Sequence, residues 1–151
     1  SYYQKKYGTA LYGLNKMYLL MQKQVNRGQD GAGLVNIKLG VKPGHPYISR
    51  RRSVEQNSIQ DVFSKISQNF NTIKKRYPQK FQDPNWLKEN SSFAGELFLG
   101  HLRYGTYGGN KITNCHPFLR QNNWKNDRSP RPNGLSGRNR RSHRRLLTRH
   151  I

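Results

Sequence analysis

The residue best suited to chemistry in this chain is Arg103, at the end of the stretch Glu96-Leu97-Phe98-Leu99-Gly100-His101-Leu102-Arg103-Tyr104-Gly105-Thr106. An arginine at the mouth of a buried strand is costly unless it meets an anion. Its planar fork suits a carboxylate held by two parallel hydrogen bonds. Local physics alone favours the plainer role of a strand-end arginine in solvent or in a structural ion pair. A second constellation is Asn26-Arg27-Gly28-Gln29-Asp30-Gly31-Ala32-Gly33. Arg27 beside Gly28 would bring a guanidinium and a bare backbone amide to one ligand, although on spacing alone an ordinary loop that ends a helix is the better fit. Cys115 and His116 pair a nucleophile with a base in type only. Neighbours on an extended segment point to opposite faces, so Cys115 reads as a buried free cysteine. Arg50-Arg51-Arg52 reads as a solvated face rather than a phosphate site. No metal-ligand spacing stands out.

The elements that must position these groups follow from periodicity. Ala10, Leu11, Leu14, Met17, Tyr18 and Met21 predict a helix over residues 1 to about 25, weakened by Gly8 and Gly13. Residues 33–39 alternate, with Val35, Ile37 and Leu39 on the expected core side and Asn36 and Lys38 opposite, which predicts a half-buried strand. Lys42-Pro43-Gly44 makes a turn, and Tyr47-Ile48-Ser49 returns as the second strand of a hairpin. A long helix is expected from Ile59 to Tyr77, capped by Ser58 with Asp61 and stopped by Pro78. Residues 79–94 read as an irregular connection anchored by Phe81 and Trp86. The stretch around Leu97 to Leu102, flanked by Gly95 and Gly105, predicts a strand buried on both faces. His116-Pro117-Phe118 is expected to pack against the body.

The chain has 151 residues and a formal charge of +21, with 32% hydrophobic residues. One domain with a moderate core is affordable at this length. The charge by itself suggests nucleic acid, but no recognised binding motif is present and the aromatics are not interleaved with the arginines. A basic module binding nucleic acid non-specifically through its tail is the alternative reading of function. The single cysteine excludes an internal disulfide and suits a reducing, cytoplasmic setting. No run of 18 apolar residues suggests a membrane span. Beyond Trp124 the periodicity stops. Residues 127–151 hold eight arginines, no lysine and one acid, a composition that predicts a disordered tail over 126–151.

Taken together, the two glycine-flanked arginine segments change the reading. In their order and separation they resemble the glutaminase domain of class II glutamine amidotransferases, within that group the amidophosphoribosyltransferase family. His116-Pro117-Phe118-Leu119-Arg120-Gln121-Asn122-Asn123-Trp124 is similar to the form in Bacteroidetes-type bacteria. The resemblance covers residues 2 to 125, and so implies a partial domain over 1–125. It implies an α+β fold, an incomplete four-layer αββα N-terminal-nucleophile sandwich. In that family an N-terminal cysteine attacks the side-chain amide of glutamine and releases ammonia. The ammonia then displaces pyrophosphate from phosphoribosyl pyrophosphate in a second domain, the first step of purine synthesis. The resemblance implies that Arg103 binds the α-carboxylate of glutamine. It further implies that Tyr104 and Thr106 close over the substrate, and that Arg27 and Gly28 belong to a loop that orders the pocket. Mg2+ is expected only with the second domain, and the intact family is homo-oligomeric.

No cysteine precedes the first helix, so none of the family's catalytic residues is expected here and no glutamine hydrolysis is predicted. Asn133-Gly134 lies where an oxyanion-hole asparagine is wanted, but the prolines and arginines before it rule out a core strand. The abrupt change after Lys125 reads as a shift of reading frame near Asn126 to Arg128. Sequencing the encoding DNA checks this: another frame after codon 126 should encode an apolar strand followed by an asparagine-containing loop.

Overall fold

The computed structural model describes residues 2–105 and 109–118. It is a mixed α/β structure built on one antiparallel three-stranded sheet. The strands are β1 (Gly31–Ile37), β2 (Ile48–Ser53) and β3 (Leu97–Arg103), in the order β2-β1-β3. Four α-helices accompany them: α1 (Tyr2–Tyr7), α2 (Tyr12–Lys23), α3 (Ser58–Arg76) and α4 (Pro84–Asn90). The second sheet of a four-layer sandwich is not present among the described residues. The Arg-rich tail, expected to be disordered, lies outside them.

Register explains how the sheet uses its two faces. Leu34 pairs with Arg51 on one side and Gly100 on the other, and Ala32 pairs with Ser53 and Leu102. Cross-strand partners share a face, so Ala32, Leu34, Asn36, Phe98, Gly100 and Leu102 look the same way. That face is covered by helices. Leu14 and Met21 of α2 and Ile59, Val62, Phe63, Ile66 and Phe70 of α3 form the core with Ala32, Leu34, Leu87 and Phe93. Tyr18 packs edge-on to Phe63 with ring centroids 5.1 Å apart, locking α2 to α3.

Several sequence expectations are corrected. The first helix is two, interrupted at Gly8–Leu11, where the Leu11 amide donates to Thr9 Oγ1 at 3.0 Å. β1 is not half-buried with Val35, Ile37 and Leu39 inward. It is the central strand, buried along almost its whole length, and Asn36 and Lys38 are buried while Leu39 is exposed. Asn36 tolerates burial because its amide is satisfied: Oδ1 accepts from the Gly95 amide at 2.7 Å and Nδ2 donates to the Leu97 carbonyl at 3.1 Å. β3 is not buried on both faces. It is an edge strand, and Leu97 and Leu99 are 52% and 57% exposed. Asn57, not Ser58, occupies the cap position of α3, and no side chain there bonds the helix end. The connection from 79 to 94 contains α4, started by Asp83, whose carboxylate accepts from the Asn85 amide at 2.9 Å, with Pro84 in the first turn. Phe81 and Trp86 do pack against the core, but the fully buried anchors are Leu87 and Phe93.

These placements separate β3's pattern from its burial. Asn36→Ala should destabilise the fold by about 2–3 kcal/mol, because it strands two backbone partners and leaves a void. Leu99→Ala, at an apolar but exposed position, should cost less than about 1 kcal/mol. Urea unfolding of both variants measures the contrast.

Candidate functional site

Arg103 closes β3, and the sheet register sets it opposite Gly31. Its side chain is only 6% exposed. The guanidinium donates through Nη1 to Asn110 Oδ1 at 3.1 Å and through Nη2 to the Gly109 carbonyl at 2.6 Å. Asn110 is fixed in turn, its Nδ2 donating to the Val54 carbonyl at 3.0 Å. Two of the oxygens that orient this buried guanidinium are thus neutral.

The Arg27 loop reaches the same place through its backbone. A short 3-10 turn, Val25–Arg27, ends α2's run and delivers Gly28 against the end of β3. A Cβ at residue 28 would lie 2.7 Å from both the carbonyl carbon and the oxygen of Arg103. The approach therefore requires glycine. Asp30 completes the junction. Its amide donates to the Arg103 carbonyl at 3.0 Å, and its Oδ2 accepts from the Gly105 amide at 2.7 Å. Arg27 itself is exposed. A cleft of about 300 Å³ borders this loop, walled by Val25, Gly28, Gln29, Gln56 and Asn57 among others; Arg103 is not among its walls. Tyr104 is 72% exposed, and Thr106 lies outside the described residues.

The opposite face of the sheet carries the remaining candidates. Residues 115–118 lie across Gly31 and Gly33, whose missing side chains leave room for Cys115 Sγ and the His116 carbonyl. Arg52 donates to the Cys115 carbonyl at 2.6 Å, and Arg50 to the Pro117 carbonyl at 3.3 Å. The arginine triplet is therefore not a solvated face. Arg50 and Arg52 tether this segment, while Arg51 points to the helical side, near Asp61. Cys115 is fully buried, as expected, and burial pushes its thiol above the ordinary range despite the pull of Arg52 and Arg103. The His101 and His116 rings lie tilted against each other with centroids 5.0 Å apart. Burial and then His116 hold the His101 imidazole below its usual range, so it stays neutral at pH 7. No group of three or more potential metal ligands clusters among the described residues, and no described helix is long and apolar enough to cross a membrane.

The structure thus brings Arg103, Gly28 and Tyr104 to one end of the sheet. Asp30 and Asn110 were not assigned roles from sequence. Asp30 lies in the Asn26–Gly33 loop motif, but its bond to Gly105 is a contact across 75 residues. Asn110 follows the Gly108-Gly109 pair and becomes significant only once the loop folds back.

Two outcomes are expected. Gly28→Ala should displace the end of β3 and destabilise the fold by roughly 1–3 kcal/mol, read by thermal melting. Cys115 should react with a thiol reagent far more slowly in the native chain than in urea. No protein-family model, curated protein or solved structure matches this chain.

Proposed function

We propose that the Arg103 end of the sheet is the carboxylate-binding half of a glutamine site, in a class II glutaminase domain of the amidophosphoribosyltransferase kind. Such a domain, when complete, is a four-layer sandwich working in the cytoplasm. The carrying observation is a guanidinium buried at a strand end and pre-oriented by Asn110 and Gly109, beside a loop whose glycine is required by contact. Pre-orientation lowers the entropy lost when a ligand carboxylate is captured. A bidentate charge-assisted pair then distinguishes an α-amino acid from the corresponding amine. Tyr104, exposed immediately after Arg103, is free to cover such a ligand. In the complete family enzyme the bound glutamine would yield ammonia for phosphoribosylamine synthesis. Cys115 is the wrong nucleophile for that step, being buried with a raised pKa.

Binding, rather than hydrolysis, tests this. L-glutamine titrated into the chain by NMR should give saturable shifts around Gly28 and Tyr104. 4-Aminobutanamide, which keeps the side-chain amide and lacks the α-carboxylate, should give none. Arg103→Lys should weaken glutamine binding at least about tenfold, since lysine cannot supply the fork, and Cys115→Ser should leave it unchanged. Equal binding of the two ligands, or binding unaffected by Arg103→Lys in a folded variant, would refute the proposal.

A further inference from the structure

At the other end of β1 the chain builds a second basic site, unrelated to Arg103. Lys38 directly follows β1 and continues the alternation of Ala32, Leu34 and Asn36, so its side chain turns inward and is only 4% exposed. Its backbone is pinned, the amide donating to the Tyr47 carbonyl at 2.7 Å. Its ammonium has no hydrogen-bond acceptor among the described residues. The carboxylate that attracts it, Glu96, is already committed: Oε2 accepts from the Leu39 amide at 2.9 Å, and Oε1 accepts from Lys88 Nζ. Lys88 also donates to the Leu39 carbonyl and repels Lys38. Burial of most of this side chain makes its charged form costly, and the ammonium reaches solvent only through the cleft it lines.

Lys38 opens onto a cleft of about 190 Å³ between the β1–β2 loop and α4, lined also by Lys42, His45, Asn85, Lys88 and Glu89. The loop presents Lys42 and His45 together because a turn joins them, with the His45 amide donating to the Lys42 carbonyl at 3.2 Å. Three lysines and a histidine thus face one lining carboxylate, Glu89, while Glu96 is occupied behind them.

We propose that this cleft binds a small tetrahedral oxyanion of the phosphate class, whether free or as a phosphomonoester, with Lys38 as its buried cation and Lys42 and His45 closing over it. An oxyanion supplies the acceptor that the protein withholds from Lys38 and converts a like-charge cluster into a charge-balanced one. In the ligand-free chain, burial and Lys88 push the Lys38 ammonium down to about 8, against the pull of Glu96. A bound anion favours the charged form and moves that value back towards 10.5.

The test is to titrate inorganic phosphate, and separately methyl phosphate, into the full chain labelled at its lysines, with sodium chloride at matched ionic strength as control. At least one phosphate should produce a saturable change at Lys38 in the millimolar range or tighter, with a rise in its pKa. Saturation by both ligands identifies a site open to monoesters; saturation by inorganic phosphate alone identifies a site for the free ion. Lys38→Met should weaken binding at least tenfold, and Arg103→Lys should leave it unchanged, which keeps this site distinct from the glutamine proposal. Lys42→Ala, on the exposed loop, should weaken binding about threefold or more, and it decides the matter if Lys38→Met does not fold. A response matched by chloride, or wild-type affinity in folded Lys38→Met, overturns the assignment.

Discussion

Everything described in this protein depends on β1 being inside. It is hydrogen-bonded along both edges, to β2 and β3, and covered on both faces, by α3 on one side and by residues 115–118 on the other. A strand so placed has no solvent side on which to put a polar residue cheaply. The polar groups it does carry are consequently informative. Asn36 is resolved by two backbone partners that tie down the entry to β3. Lys38 is not resolved in that way, and its ammonium is left looking into a cleft. The two ends of one strand therefore differ in kind. At the start, Gly31 meets Arg103 across the sheet; at the finish, a buried cation faces the hairpin loop.

The absence of side chains on β1 is as consequential as their presence. Gly31 and Gly33 lie on one face, and residues 115–118 occupy the space they leave. This explains why three consecutive arginines are compatible with a strand. Alternation sends Arg50 and Arg52 to the face where backbone carbonyls of that segment await them, and sends Arg51 to the other. The same segment buries Cys115 and sets His116 against His101, so a pair of residue types that suggests catalysis is instead part of the packing.

Local patterns in the sequence were enough to identify α3, the β1–β2 hairpin, the strand before Arg103 and the burial of Cys115. The signals there are short-range: a repeat of 3.6 or 2 residues, a turn, an apolar run between glycines, or the burial preference of a lone cysteine. What could not be read was set by sheet order. Val35, Ile37 and Leu39 look like a core face until β1 is known to be central, and Leu97 and Leu99 look buried until β3 is known to be an edge. α4 gives no periodic signal, because seven residues hold too few turns for one, though Asp83-Pro84 carries a start signal. At the Arg103 site, the arginine and Gly28 were visible as types in context. Asp30 and Asn110 owe their roles to contacts with residues distant in sequence or brought close by a folded loop, which no local pattern encodes.

Arg50, Arg52 and Arg103 share one habit: each donates to an uncharged backbone oxygen. Such bonds fix geometry without cancelling charge, and the chain carries a formal excess of +21. Mutual repulsion among the chain's 28 basic residues, set against seven acidic ones, is a standing load on the compact form, one that dissolved counterions relieve. The medium becomes part of the architecture: this protein should hold together better in brine than in dilute buffer, the reverse of a molecule stitched by surface ion pairs.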